Sequence, residues 1–231
     1  MSIAENVAAI KENIAKAAIA AGRNPSEIQL CAATKMNDAD AVRQAIAAGV
    51  DLCGENRVQE LVTKQKENAY EGAPVHFIGH LQTNKVKQVV GKVDLIQSVD
   101  SLRLLKAIDA EAAKQGIIQD ILLEVNVGEE ESKSGFNAEE VLPFLEQISE
   151  FPHIFVRGLM AIPPISQNSG DNRKFFQKIL QLSVDIRAKK YDNVLVNCLS
   201  MGMSDDYEDA ISCGSTMIRV GTAIFGKRNY A

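Results

Sequence analysis

Several features that mark broad protein classes are scarce or missing in this sequence. Positive charge is not in excess: Lys and Arg total 25 against 30 Asp and Glu, a formal net charge of −5. Nucleic acids and anionic lipid surfaces call for clustered cations, so neither is expected as a partner. The lysines from Lys85 to Lys92 stand among apolar residues and read as a helix face. No apolar run reaches the roughly 18 residues that cross a bilayer. The cysteines, Cys31, Cys53, Cys198 and Cys213, form no CxxC and no close Cys/His pair, which leaves zinc without a ligand set. Their apolar neighbours suit buried free thiols in a reducing compartment. The first 22 residues carry acids and lack the compact apolar core and cleavage site of a targeting peptide, so they read as structure. A cytoplasmic location is the expectation. No Pro/Gly/Ser-rich linker or low-complexity stretch divides the chain.

What is present is ordinary globular composition, 46% hydrophobic and 24% charged over 231 residues. A chain of this length buries roughly 70 to 75% of its unfolded surface, enough for a core without disulfide or metal. Ile3, Val7, Ile10 and Ile14 share one side of a helix, with Ser2 and Glu5 as a capping box and Gly22 with Pro25 as the stop. The apolar run Ile28 to Thr34 follows. Helix and strand patterns then alternate: AVRQAIAAG with DLCG, NRVQELVTKQKENA with VHFIG, TNKVKQVVG with DLIQS, and SLRLLKAIDAEAAKQG with DILLEVNV. AEEVLPFLEQISE precedes IFVRGLM, NRKFFQKILQLSVDIRAKK precedes VLVNCLS, and DDYEDAISCG precedes MIRVG. The count is eight helices and eight strands. The strands lack the alternation of a half-wet sheet, as parallel strands covered by helices should. Eight such units, in a chain somewhat under the roughly 250 residues typical of the fold, predict a single (β/α)8 TIM-type barrel domain over 1–231. An open doubly wound sheet is the alternative, though its GxGxxG turn does not follow Thr34.

A parallel barrel gathers its chemistry at the C-terminal strand ends. The predicted strands end in Lys35; in Gly54, Glu55 and Asn56; in Gly79 and His80; in Ser98, Asn126 and Met160; in Ser200, Met201 and Gly202; and in Gly221 and Thr222. Lys35 directly follows the apolar run of the first strand. A desolvated lysine has its pKa pushed down and its amine freed for a Schiff base; the other reading pairs it with a carboxylate such as Glu55 or snorkels it outward. The loops after strands seven and eight, SMGMSDD and RVGTAIFG, offer Gly202, Gly221 and the hydroxyls of Ser200, Ser204 and Thr222 where this fold habitually holds phosphate. Tight turns without a ligand have the same composition. Arg219 shares the inward parity of its strand and needs an acceptor, either a ligand or an acid on a neighbouring strand. A lysine, an anion site and an inward arginine around one mouth match pyridoxal 5′-phosphate (PLP) in outline. An arginine, always protonated, keeps a pyridine nitrogen neutral and so makes the ring a poor electron sink.

The segments AATK, GENRVQE, HFIGHLQTNK, SVDS, KSGF, GLM, SMGMSDDYEDAI and RVGTAIFGKR, in this order over nearly the whole chain, resemble the pyridoxal phosphate homeostasis proteins, the YggS/PROSC family. The resemblance implies a fold-type III PLP barrel like the N-terminal domain of alanine racemase, with PLP held as an internal aldimine on Lys35. It further implies that Arg219 faces the pyridine nitrogen, that Ser200, Gly221 and Thr222 hold the phosphate, and that Asn56 and Met203 lie near the cofactor. Two departures affect the outer rim: Met36, Asn37, Asp38 and Ala39 stand where members often carry Lys-Pro, and Arg57 where many have an aromatic residue.

A racemase on this barrel needs a second acid/base opposite its lysine, a tyrosine from an added domain in alanine racemases. Here Tyr70, Tyr191 and Tyr230 fall in helices or chain ends, Tyr207 begins the helix after strand seven, and the eight units leave no remainder for a second domain. The expectation is a monomeric, non-catalytic PLP carrier or reservoir in vitamin B6 and amino-acid pool balance, with PLP-dependent apoenzymes as recipients. The alternative is a weak PLP-dependent racemase using His80 or Tyr207; a cofactor-free Schiff-base aldolase is a third reading. Lys133, in KSGF, stands either as a contact for a second PLP or as a loop partner of Glu129 to Glu131.

Overall fold

The computed structural model describes residues 1–130, 133–165, 168 and 170–226. Eight parallel strands, β1 (Gln29–Ala33), β2 (Leu52–Glu55), β3 (Val75–Phe77), β4 (Leu95–Val99), β5 (Gln119–Val125), β6 (Ile154–Ala161), β7 (Val194–Ser200) and β8 (Met217–Val220), close into a barrel in sequence order. β1 pairs with β8 through Gln29 to Ala32, so the sheet has no edge. The outer ring is α1 (Ile3–Ala20), α2 (Ala39–Ala47), α3 (Val58–Lys66), α4 (Leu102–Gln115), α5 (Ala138–Leu145), α6 (Arg173–Lys189), α7 (Tyr207–Ser212) and a one-turn α8 (Thr222–Phe225). The barrel is the expected one, not the open sheet.

Local rules account for most of these elements. Ser2 and Glu5 form the predicted capping box at the start of α1, whose buried stripe is Val7, Ile10, Ile14 and Ala18. One correction concerns the fourth predicted helix: Thr83–Gln88 is a 3-10 helix. Its buried Val86 is β-branched and Gln82 gives no side-chain cap, both unfavourable to an α-helix start. The lysines at 85 and 87 therefore lie on a 3-10 turn and not on an α-helix face.

Strand periodicity divides the core in two. Outward residues such as Leu30, Phe77, Ile96, Leu123, Leu199 and Ile218 pack under the helices. Inward residues Cys31, Ala33, Leu52, Ile78, Leu95, Leu122, Met160, Cys198 and Met217 fill the barrel. Because both faces are buried, the strands read as continuous apolar runs, and the polar residues among them become conspicuous. All four cysteines are buried free thiols, and burial raises the Cys31, Cys53 and Cys198 thiols well above the ordinary value. No described helix is long and apolar enough to cross a membrane.

Candidate functional site

The loop that carries Lys35 is anchored on both sides. Ala33 points into the barrel with Cys31, so strand parity turns Thr34 outward and Lys35 toward the mouth. The Thr34 hydroxyl donates to Glu55 Oε2 at 3.0 Å, and Lys64 Nζ donates to the Thr34 carbonyl and to Glu55 Oε2, each at 2.7 Å. Lys64 also reaches Glu60 Oε2 at 3.1 Å, and the same oxygen accepts the Met36 N–H at 2.7 Å, holding Met36 at φ +60°. Tyr70 donates its hydroxyl to Glu55, whose other oxygen accepts the N–H groups of Asn56 and Arg57. Burial and the Glu55 charge raise the Tyr70 pKa, so the phenol stays a donor. The carboxylate suggested as a partner for Lys35 is thus ion-paired to Lys64, outside the barrel wall. Lys35 itself is half-buried.

Asn56 lies two residues beyond Gly54, which faces Cys31 and Ile78 inside the barrel, and so takes the same inward parity. Its Oδ1 is buried with no hydrogen-bond partner among the described residues. Gly79 packs directly on the Asn56 backbone, where a Cβ would overlap the carbonyl oxygen and come within 2.7 Å of Cα. Only glycine permits this approach of the β3 end to the β2 end.

Across the mouth, Arg219 is almost fully buried. Its Nη1 donates to the Ser200 carbonyl at 2.7 Å and to Ser200 Oγ at 2.5 Å, and its Nη2 to the Ala161 carbonyl at 3.0 Å. Arg219 forms no ion pair at contact distance with any described residue, so the neighbouring-acid reading fails among them. Burial lowers its pKa, opposed by the more distant charges of Glu124 and Asp206, yet a guanidinium stays protonated. Ser200 Oγ donates to Gln97 Oε1 at 2.6 Å, and Gln97 Nε2 donates to His76 Nδ1 at 2.9 Å. The Ser200 hydroxyl proton is therefore spent on Gln97, and the side chain expected at the phosphate serves Arg219 in this structure. Burial holds His76 down at about 4, so its ring is neutral.

The loop after β7 turns at Gly202, φ +95°, with Tyr207 and Ala210 packed where a side chain would stand. Met203 is partly exposed on the rim, its N–H bound to Asp206 Oδ1 at 2.7 Å. Gly221 lies over the end of β1, a Cβ at that position meeting Ala33 at 3.4 Å. It opens α8, and Thr222 is exposed at the first turn. The first N–H groups of a helix lack intrahelical acceptors. Lys35, Asn56, Arg219, Gly221 and Thr222 thus share one rim.

Other proposed groups fall elsewhere. Tyr207 packs with Val7, Ile10 and Ile14 beneath α1, outside the barrel. His80 is 60% exposed, with Nδ1 3.2 Å from Asp100 Oδ2. Glu129 pairs with Lys178, while Lys133 lines an outer groove with His80, Asp100 and Arg103. Glu131, Tyr230 and the end of RVGTAIFGKR lie outside the described residues. Gln97, His76 and Lys64 were not singled out from the sequence, although a histidine and a glutamine at inward positions of apolar strands were a signal. Glu124, another inward group of the mouth, has its carboxyl raised to about 7, by burial and then by Asp100, against the opposing charges of Arg219 and His80.

Residues 6–229 match the family model for the alanine racemase N-terminal domain. The chain is 42% identical over 230 residues to the pyridoxal phosphate homeostasis protein of Aquifex aeolicus, covering 100% of both chains. It superposes with a TM-score of 0.84 and 32% identity on PipY of Synechococcus elongatus, solved with PLP bound, covering 97% of this chain and 100% of that one. The alanine racemase of Clostridium difficile, 15% identical, shares the fold at a TM-score of 0.68, with 97% of this chain covering 57% of its length. With the barrel, its mouth and full-length relatives in agreement, the chain belongs to the pyridoxal phosphate homeostasis protein family.

Proposed function

We propose that this chain binds PLP at the C-terminal mouth of its barrel, through Lys35, as a carrier or reservoir in PLP homeostasis and amino-acid pool balance. The observation that carries the reading is Arg219, a buried cation held by two carbonyls and a hydroxyl with no acid in contact among the described residues, at the same mouth as Lys35. An uncompensated inward cation suits a ligand acceptor such as a pyridine nitrogen, and the orphaned Asn56 Oδ1 is a second polar group awaiting a partner. The donor set fits PLP, which when bound supplies an aldehyde and an electron-accepting ring.

The chain's own groups divide the work. The Lys35 amine attacks the aldehyde carbon, forming a C=N bond with release of water. Arg219 donates to the ring nitrogen and, having no proton to give up, keeps it unprotonated. The N–H groups at Gly221 and Thr222 serve the phosphate, Asn56 orients the ring, Met203 covers it from the rim, and Ser200 acts through Arg219.

A carrier is favoured over a racemase because Tyr207 points under α1 and His80 stands on the exposed rim. Neither is placed as the second base opposite the lysine that two-sided proton transfer needs. We further infer that the barrel over 1–231 acts as one monomeric domain, in the cytoplasm, and delivers PLP to dependent apoenzymes.

Absorbance of the purified protein, then borohydride reduction and peptide mapping, tests the reading. A visible band and a reduced adduct at Lys35, both lost in Lys35→Ala, are expected; an adduct on another lysine refutes it. Racemisation of L-alanine that disappears in both Lys35→Ala and His80→Ala would establish the enzyme instead.

A further inference from the structure

Four polar side chains from four strands run across the barrel interior as one hydrogen-bonded chain: Arg219 on β8, Ser200 on β7, Gln97 on β4 and His76 on β3. All are buried, at 5%, 0%, 0% and 8% exposure. Arg219 can only donate, so Ser200 Oγ is its acceptor. Ser200 Oγ, accepting from Arg219, has its proton left for Gln97 Oε1. With Oε1 on Ser200, the Gln97 amide turns Nε2 toward His76. His76 Nδ1 must present a lone pair, which places the ring proton on Nε2. The second Gln97 N–H faces Met217 Sδ at 3.1 Å, a weak acceptor that no stronger one replaces.

Resting on the carrier reading above, we propose that Gln97 is a positioning residue: through Ser200, anchored by His76, it sets the direction in which Arg219 presents its charge to the PLP ring nitrogen. The physical argument concerns what else holds Arg219. Among the described residues its two remaining hydrogen bonds are to main-chain carbonyls at the ends of β6 and β7, and Ser200 Oγ is the one side-chain acceptor. Removing Gln97 frees that hydroxyl to rotate away from Arg219, and a long arginine with a free rotor loses its aim.

Gln97→Met keeps the volume and removes the hydrogen bonds to Ser200, His76 and Met217. Three measurements read the result. In the wild-type protein, nitrogen-15 NMR of His76 is expected to show the Nε2–H tautomer; an Nδ1–H tautomer overturns the chain of donors. In PLP-loaded protein, Gln97→Met is expected to shift the visible band and to weaken PLP retention about tenfold, the loss of one hydrogen bond's worth of aim. Combined with Arg219→Lys, it is expected to add little beyond Arg219→Lys alone, since Gln97 acts through that arginine. Full additivity would mark a merely structural glutamine and overturn the proposal. Gln97→Glu, a second variant, is expected to draw a proton onto His76 and to shift the band's pH profile; an unchanged profile counts against it. If wild-type protein carries no PLP at Lys35, the carrier reading and this one fall together. If PLP is on Lys35 and the Gln97→Met band and retention equal wild type, this one falls alone.

Discussion

Lys64→Met removes the cation from the buried cluster that anchors the Lys35 loop. The Lys64 and Glu55 side chains are 6% and 0% exposed, so water does not replace what is lost. Three bonds go, to Glu55, to the Thr34 carbonyl and to Glu60; Glu60 is exposed enough to rehydrate, the other two acceptors are not. Breaking a buried pair by deleting one partner costs about 3–5 kcal/mol. Glu55 keeps four donors, from Thr34, Tyr70, Asn56 and Arg57, which places the expected cost near the lower end, about 3 kcal/mol. With a urea m-value of about 3 kcal/mol/M for a chain of this size, the midpoint falls by about 1 M. The double variant Glu55→Gln with Lys64→Met removes both charges and is expected to recover a good part of that loss. Equilibrium urea unfolding followed by circular dichroism makes the measurement. A midpoint within about 0.3 M of wild type for the single variant would refute the view that this pair holds the loop against a real desolvation cost.

Two further outcomes follow from the same geometry. Glu124, raised from 4.5 to about 7, keeps its proton in the folded state where the unfolded chain has lost it, so its contribution to stability declines as pH rises from about 4.5 to about 7 and is then level. Glu124→Gln is therefore expected to gain on wild type between pH 5 and pH 8, by about 1–3 kcal/mol after allowing for partial solvent screening; a pH-independent difference in unfolding free energy would contradict it. Gly79→Ala drives a methyl into the Asn56 backbone, which is not a flexible end that swings aside. A cost of about 3 kcal/mol is expected, seen as a Tm about 6–12 °C lower, and a Tm within about 2 °C of wild type would show that the two strand ends do not meet so closely.

The periodicity of single segments was enough to determine much of this protein. Ser2 and Glu5 cap α1 through contacts three residues apart, and such local rules are complete within a few residues of sequence. Strand parity likewise predicted an inward Arg219, because alternation is a property of the strand alone, while Lys35 and Asn56 stood out as residues at strand ends. It failed where packing chose between two local solutions, as at Thr83–Gln88, a 3-10 helix with Val86 buried. What only the tertiary structure decided is who partners whom. Glu55 takes Lys64 rather than Lys35, and Ser200 spends its hydroxyl proton on Gln97, 103 positions away in the chain. A buried polar group must find a partner, but closure of the barrel, not spacing along the chain, determines which donors stand within 3 Å of it. The sequence therefore determined which side chains enter the barrel, and the closed sheet determined what each is free to do there.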